Sequence, residues 1–336
     1  MTQRFNQRFN KKSIMKLIAA FFRLIRWPNL LFIALTQIFF YYFVLHASVI
    51  NESGENFIKQ RSSLFILLVI SSVLIAAAGY IINDYFDLKI DAINKPQKIV
   101  VDRIVKRRWA IVWHLIFSSI GIIFSFYISY KTKIYSIDIV NFLCVFMLWF
   151  YSTTFKRKLL SGNVIISTLT AWVIVSVYLF SGVKVLEYHG WNFSGYVFDA
   201  RKLFKLTMLY SGFAFVLSLI REVVKDIEDM NGDARYNCRT MPIAWGLPAT
   251  RVFIGVWMVV LISTIFISIF YAFQSGWKVG SVYSFIFILI PLFYIMIKLL
   301  KAESVKDYRK LSLAIKFTMF AGIISMIFFF PKFLFV

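Results

Sequence analysis

The chain has 336 residues, of which 60% are hydrophobic and only 16% are charged, and its mean hydropathy is +0.74. This composition excludes a soluble globular domain and predicts an integral membrane protein. The formal net charge is +22, but the cations lie beside apolar segments, where they orient a membrane protein, so we expect no nucleic-acid partner. The two cysteines, Cys144 and Cys238, lie in dissimilar surroundings and predict no disulfide framework.

Nine apolar stretches of membrane-spanning length follow one another along the chain, after a basic arm at residues 1–28. Their predicted bounds are 29–47, 63–82, 109–129, 137–154, 159–182, 204–220, 250–273, 279–299 and 312–334. The alternating ten-residue pattern of a membrane β-barrel is absent. The sequence therefore predicts an all-α polytopic membrane protein with about nine transmembrane helices in a single domain, residues 1–336.

Lysine and arginine concentrate in the N-terminal arm and in every even-numbered loop, whereas the odd-numbered loops carry fewer cations. By the positive-inside rule, the N-terminus and the even-numbered loops are expected to be cytoplasmic and the C-terminus to lie outside. We expect the protein in a bacterial inner (cell) membrane.

Two acidic clusters stand out because the whole chain has only 16 acidic residues, and each cluster follows an even-numbered span. The first contains Asn83, Asp84, Asp87 and Asp91, and the second contains Glu222, Asp226, Glu228, Asp229 and Asp233. On a helix, Asn83, Asp87 and Asp91 fall within roughly 80° of one another. A single charged run beside a span is usually a solvated loop. Two one-sided clusters on the same membrane side favour a binding site.

The ligand types in these clusters indicate magnesium shared with a phosphate group. Mg²⁺ takes oxygen ligands, accepts one or two carboxylates and bridges to phosphate oxygens. An EF-hand pattern for calcium is absent, and the three histidines are too scattered for zinc. Nearby cations are available for the remaining phosphate oxygens. A diphosphate headgroup fits this division.

At these residues the chain resembles the UbiA superfamily of intramembrane prenyltransferases. The family motifs stand here as Asn83-Asp84-x-x-Asp87-x-x-x-Asp91 and Asp226-x-Glu228-Asp229-x-x-Gly232-Asp233. The resemblance also includes Arg26-Trp-Pro28-Asn29, Asn94-Lys95-Pro96, Tyr151 to Lys156, and Thr240 to Gly246. One departure is the segment Asn94-Lys-Pro-Gln-Lys-Ile-Val-Val, where relatives commonly have N-R-P-x-R-P.

The resemblance implies a helical bundle around a central cavity and Mg²⁺-dependent transfer of a polyprenyl group from a polyprenyl diphosphate to a lipophilic acceptor, with release of diphosphate. Two Mg²⁺ ions would bridge the diphosphate, held by Asn83, Asp87, Asp91, Asp226, Asp229 and Asp233. Residues expected to bind diphosphate or substrate are Lys95, Lys156, Arg221, Lys225, Arg26 and Asn29. Asp84, Glu228 and Tyr151 are the candidate catalytic residues.

The acceptor is left open between geranylgeranylglycerol phosphate, towards which the Asn-Asp-Tyr-Phe-Asp run leans, and an aromatic quinone precursor such as 4-hydroxybenzoate or dihydroxynaphthoate. For a phosphorylated acceptor, the sequence offers Lys98, Arg103 and Arg107 as ligands. A terpene cyclase of the same superfamily would share both motifs and lack an acceptor. A transporter is a more distant alternative, since it would place ionisable groups near mid-membrane.

Overall fold

The computed structural model describes residues 11–49, 52–182 and 199–329. These residues form a bundle of helices without a β-strand, and nine of the helices are long and apolar enough to cross a membrane. The amphipathic helix α1 (Lys11–Leu24) precedes them, and the four-residue helix α8 (Met241–Ala244) lies between the sixth and seventh. The nine are α2 (Trp27–Ser48), α3 (Glu52–Asn94), α4 (Arg107–Thr132), α5 (Tyr135–Thr153), α6 (Ser161–Phe180), α7 (Ala200–Arg235), α9 (Gly246–Gln274), α10 (Lys278–Leu300) and α11 (Val305–Phe329).

The predicted fold class is confirmed, because all nine predicted spans correspond to helices within the described ranges. Three parts of the sequence prediction lie outside the described residues: positions 1–10 of the basic arm, most of the loop at 183–203, and positions 330–334 of the last span.

Helices α3 and α7 are the longest, and both continue well beyond their predicted apolar spans. Hydropathy ends the predicted spans at residues 82 and 220, but the helices run on to Asn94 and Arg235. A helix ends where its backbone hydrogen bonding is interrupted, and a change from apolar to polar side chains does not do this. Pro96 follows α3 closely and cannot continue a helix. Both acidic clusters therefore lie on regular helix.

The bundle is held together mainly by contacts of α3 with α4, α6 with α7, and α7 with α11. Close approach of α3 and α4 is visible at Ser71, whose hydroxyl donates a 2.7 Å hydrogen bond to the carbonyl of Gly121. Small residues permit such approach between membrane helices. A large apolar core joins α7, α9, α10 and α11. Many apolar side chains on the outer faces, such as Phe126 and Ile267, are exposed and suit contact with lipid.

Two connections place polar residues at one end of the bundle. The link between α5 and α6 contains a short 3-10 turn, Phe155–Arg157. The backbone N–H of Arg239, just after α7, donates a 2.8 Å hydrogen bond to the carbonyl of Arg157 and ties the two connections together. Arg26, between α1 and α2, has a left-handed conformation with φ of 51°, which turns the chain into α2. These connections surround the ends of α3 and α7.

Candidate active site

A cavity of about 860 Å³ opens between the helices, and its wall changes from polar to apolar along its length. The change can be followed on one face of α3, from Ser72 through Gly79 to Asp87 and Asp91. Ser72 and Asp87 are about 22 Å apart along the helix axis at 1.5 Å per residue. The apolar part is lined by side chains such as Leu148, and its volume lies within the range of small-molecule sites. The cavity can hold a headgroup at one end and a hydrocarbon chain at the other.

Five aspartates gather on one side of the polar end, together with an amide and two lysines. We call this group the carboxylate pole: Asn83, Asp87, Asp91, Lys95, Lys156, Asp226, Asp229 and Asp233, all of which line the cavity. It contains the predicted ligands of both acidic clusters. Tertiary packing of α3 against α7 thus brings together two sequence segments about 140 positions apart.

Asp87 is the most enclosed aspartate of the first cluster and has two partners. Its carboxylate accepts a 2.7 Å hydrogen bond from the amide of Asn83 and forms an ion pair with the Nζ of Lys156. Burial alone would lower the pKa of the Lys156 ammonium, but the adjacent Asp87 carboxylate raises that pKa above its ordinary value. Lys156 is therefore charged, and it lies where a phosphate oxygen would find a donor.

The carboxylates of the second cluster also have polar partners from other parts of the chain. The amide of Asn163, on α6, donates a 2.8 Å hydrogen bond to the Oδ2 of Asp226. The Nζ of Lys95, just beyond α3, lies 2.5 Å from the Oδ2 of Asp229. Each cluster thus has a lysine from another part of the chain beside one of its carboxylates.

Magnesium fits the donor set of the carboxylate pole. All the candidate ligands are hard oxygen atoms, and the Oδ1 of Asn83 is buried without a hydrogen-bond partner, which is costly unless a ligand satisfies it. Among the described residues, no group of three or more His, Cys, Asp or Glu side chains is close enough to form a closed metal site. A magnesium ion held here would take a few of these oxygens and complete its shell with phosphate oxygens and water.

Asn94 connects the two acidic helices directly. Its amide donates a 3.0 Å hydrogen bond to the carbonyl of Asp229, and its Oδ1 accepts a 2.9 Å hydrogen bond from the backbone N–H of Gly232. A Cβ on Gly232 would lie 2.3 Å from the Asn94 Oδ1, so only glycine allows this approach. The carboxamide therefore fixes the distance between the ends of α3 and α7.

A second group of charges also lies at the polar end. We call it the cationic pole: Arg26, Asn29, Tyr80, Asp84, Arg221, Glu222, Lys225 and Lys316, all of which line the cavity. Glu222 is buried and accepts hydrogen bonds from the guanidinium of Arg221, at 2.9 Å, and from the ammonium of Lys225, at 3.0 Å. Arg26 pairs with Asp84 at 2.6 Å. Burial alone would lower the pKa of Arg26, but the Asp84 carboxylate raises it.

The candidate catalytic residues are placed differently from one another. Tyr151 lines the cavity close to Lys156, and Asp84 lines it as the partner of Arg26 in the cationic pole. Glu228 does not line the cavity, and its carboxylate accepts a 2.9 Å hydrogen bond from Arg309 on α11. Glu228 is directed about 200° away from Asp226, because the two are two residues apart on α7, and it lies about two turns beyond Arg221 on the same edge of the helix.

Of the cations that the sequence offered for an acceptor phosphate, Arg103 and Arg107 do not line the cavity, and the side chain of Lys98 lies outside the described residues. The guanidinium of Arg103 donates to the carbonyl of Pro96, and that of Arg107 lies 5.0 Å from the centroid of the Tyr85 ring. The structure brings Lys316 of α11 into the wall instead. Sequence reasoning missed Lys316, although a lysine inside an apolar span is a signal of function. Asn163 was also missed, and no sequence pattern pointed to it.

Comparisons with known proteins identify the family of the chain. The model of the UbiA prenyltransferase family matches residues 40–324. A digeranylgeranylglyceryl phosphate synthase of Sulfurisphaera tokodaii is 30% identical over 217 residues, which are 65% of this chain and 70% of that protein. A synthase of the same name from Thermococcus sibiricus is 27% identical over 190 residues, 56% of this chain and 58% of the relative, so the match spans less than two thirds of that protein.

Solved structures share the fold. One described as digeranylgeranylglyceryl phosphate synthase in membranes is 23% identical, with a TM-score of 0.58, and the match covers 93% of this chain and 99% of that one. A UbiA homologue from Archaeoglobus fulgidus, bound to GPP and Mg²⁺, is 14% identical, with a TM-score of 0.56 and coverage of 91% and 99%. At these identities the likeness shows a common fold.

Proposed function

Because the chain belongs to the UbiA prenyltransferase family and is an integral membrane prenyltransferase, we propose that it transfers a geranylgeranyl group from its diphosphate to the free glycerol hydroxyl of geranylgeranylglyceryl phosphate. The observation that carries this proposal is the cavity, which combines a carboxylate pole, a cationic pole and a long apolar part in one continuous space. A phosphorylated lipid acceptor and a prenyl diphosphate donor both need an anion site next to an apolar channel. The relatives' names supply the acceptor.

The donor's diphosphate is placed at the carboxylate pole. Asn83, Asp87 and Asp91 would hold one Mg²⁺ ion, and Asp226, Asp229 and Asp233 a second. Mg²⁺ bound there would neutralise the negative charge that develops on the leaving oxygen of the diphosphate. When the diphosphate is bound, its remaining oxygens replace the Asp87 and Asp229 carboxylates as the hydrogen-bond partners of Lys156 and Lys95.

Transfer then requires one bond to break and one to form. The bond between C1 of the prenyl group and the diphosphate oxygen breaks, and its electron pair leaves with the diphosphate. The acceptor's hydroxyl oxygen forms the new ether bond to C1, and its proton passes to the carboxylate of Asp84. Asp84 belongs to the cationic pole, and its ion pair with Arg26 orients it. The apolar part of the cavity keeps water away from the allylic cation, and Tyr151 lies beside the position where this cation develops.

The location that fits this role is the cell membrane, with the polar end of the cavity at the cytoplasmic face. The support is the excess of lysine and arginine in the even-numbered loops, which lie at the same end of the bundle as both poles. The bacterial assignment made from the sequence has no support among the relatives, which are mostly archaeal.

The test is a transfer assay with purified protein in nanodiscs, with geranylgeranyl diphosphate and Mg²⁺, in the presence of geranylgeranylglyceryl phosphate, 4-hydroxybenzoate or dihydroxynaphthoate. Mass spectrometry is expected to find the diether product with the first acceptor and diphosphate release only when that acceptor is present. A product with an aromatic acceptor alone would assign the protein to quinone synthesis. A cyclic hydrocarbon formed from the donor alone would identify a terpene cyclase.

A further inference from the structure

The cationic pole has more positive charge than its own carboxylates neutralise. It contains four cations, Arg26, Arg221, Lys225 and Lys316, and two carboxylates, Asp84 and Glu222. Arg26 pairs with Asp84, and Glu222 is shared by Arg221 and Lys225. Its formal charge is therefore +2 in a cavity wall within the bundle. Uncompensated charge is unfavourable in such a place unless an anion binds there.

Two atoms show where the uncompensated charge lies. The Nε of Arg221 is buried and has no hydrogen-bond partner. The Nζ of Lys316 donates a 2.8 Å hydrogen bond to the amide oxygen of Asn29 and lies 5.0 Å from the centroid of the Phe32 ring. Neither Asn29 nor Phe32 carries a charge.

The carboxylate pole does not need these cations for the diphosphate. It has five aspartates against Lys95 and Lys156, a formal charge of −3, and it attracts an anion only after metal ions bind. On α7, Arg221 and Lys225 lie within about 40° of each other and Asp226 and Asp233 about 100° further round, with Asp229 and Glu222 between these pairs. The other two cations, Arg26 and Lys316, come from different segments of the chain, so a second anion can bind beside Arg221.

Resting on the proposed function, we infer that Lys316 and Arg221, with Lys225 and Arg26 beside them, form a second anion site that binds the phosphate monoester of the acceptor without metal. The site lies on α2, α7 and α11, next to Asp84, so a phosphate there leaves the neighbouring glycerol hydroxyl close to that carboxylate. In the sequence-based assignment, by contrast, Arg221 and Lys225 were expected to bind the diphosphate, and Arg26 and Asn29 the acceptor or a headgroup. The cations offered there for an acceptor phosphate were Lys98, Arg103 and Arg107.

The test compares Lys316→Met with Lys298→Met. Lys298 is a matched control because it also lies in a membrane helix beside an aromatic ring, 5.6 Å from the centroid of Tyr294, but it is exposed on the outer surface of α10. Lys316→Met is expected to raise the KM for geranylgeranylglyceryl phosphate by about ten- to a hundredfold, as for loss of a charged hydrogen bond. The KM of Lys316→Met for the prenyl diphosphate is expected to stay within about twofold of the wild-type value. Lys298→Met is expected to leave both KM values unchanged, and Lys316→Arg is expected to restore the KM for the acceptor.

A second arm uses geranylgeranylglycerol, the same acceptor without its phosphate. The wild type is expected to prefer the phosphorylated acceptor, and Lys316→Met to lose that preference without further loss on the alcohol. An equal loss with both acceptors, or a raised KM for the donor, would overturn the inference while the proposed function stands. Repeating the assay in lipid-free detergent separates the acceptor's phosphate from a lipid headgroup, since a Lys316 effect that vanished there would assign the site to surrounding phospholipid.

A binding arm separates failure of the inference from failure of the proposed function. Thermal unfolding is measured with geranylgeranylglyceryl phosphate in EDTA and without donor. Stabilisation of the wild type but not of Lys316→Met supports the anion site even when no transfer to this acceptor occurs. Equal stabilisation of both proteins, or of neither, contradicts it.

Discussion

The two poles of the cavity share helices α3 and α7, but their net charges are opposite in sign. The carboxylate pole has a formal charge of −3 and the cationic pole a charge of +2, yet α3 and α7 contribute to both. A region rich in carboxylates binds a diphosphate only through cations that it must first collect, whereas a region rich in arginine and lysine binds an anion directly. This difference in charge is the basis for our proposal that two anionic substrates bind at separate poles.

Loss of a carboxylate from the first pole is expected to have the largest effect. Asp87→Ala or Asp229→Ala should lower kcat/KM by at least about a hundredfold, because the charge on the leaving diphosphate is no longer neutralised. Radiolabelled prenyl transfer measures the effect. Glu55→Ala is the control, since Glu55 is an exposed carboxylate near the start of the same helix. Activity retained by both aspartate variants, with normal membrane insertion, would refute a metal-dependent carboxylate pole.

Lys156 tests whether the two poles serve different substrates. Lys156→Met is expected to raise the KM for the prenyl diphosphate and lower kcat, together by about ten- to a hundredfold, with little change in the acceptor KM, the reverse of Lys316→Met. Steady-state kinetics with each substrate varied in turn provide the measurement. Lys158→Met is the control, because Lys158 is an exposed lysine of the same loop beside the Phe155 ring. Equal shifts in both constants for Lys156→Met would show that the poles are not separate sites.

A smaller effect is expected from changing the distance between the helices. Gly232→Ala places a Cβ against Asn94 and should lower kcat about tenfold, since displacement of reacting groups by a fraction of an ångström reduces the rate strongly. Gly212→Ala, in the same helix with no atom within 4 Å of the added Cβ, should keep activity and raise the free energy of unfolding by up to about 1 kcal/mol. If Gly232→Ala lowers stability but not kcat, the Asn94 contact only supports the fold.

Much of the carboxylate pole could be predicted from sequence, because its residues repeat at helical spacing. Asp87 and Asp229 lie in short motifs, and their spacing alone places their neighbours on one helix face. The cationic pole could not be predicted in this way. Lys316 lies alone in an apolar stretch on α11, and its relation to Arg221 and Asn29 depends on how α2, α7 and α11 pack.

Glu228 and Arg103 show the opposite kind of error, in which the sequence suggests a site residue that the structure does not place in the cavity. Their place in the sequence, within or just after an acidic motif, suggested a role in the site, but Glu228 pairs with Arg309 and Arg103 folds back onto Pro96. Adjacency in sequence does not give adjacency in space on a helix, since neighbouring side chains point about 100° apart.

By itself, the sequence determined that the protein spans a membrane with nine helices and that two acidic motifs lie at one end of them. The length of an apolar segment and the position of the charges beside it are local properties, and they decide segment by segment whether and in which orientation the chain crosses a bilayer. Only the tertiary structure decided that the cavity has two poles and that Lys316 belongs to one of them. The balance of charge at a site depends on which side chains from distant segments share the same space.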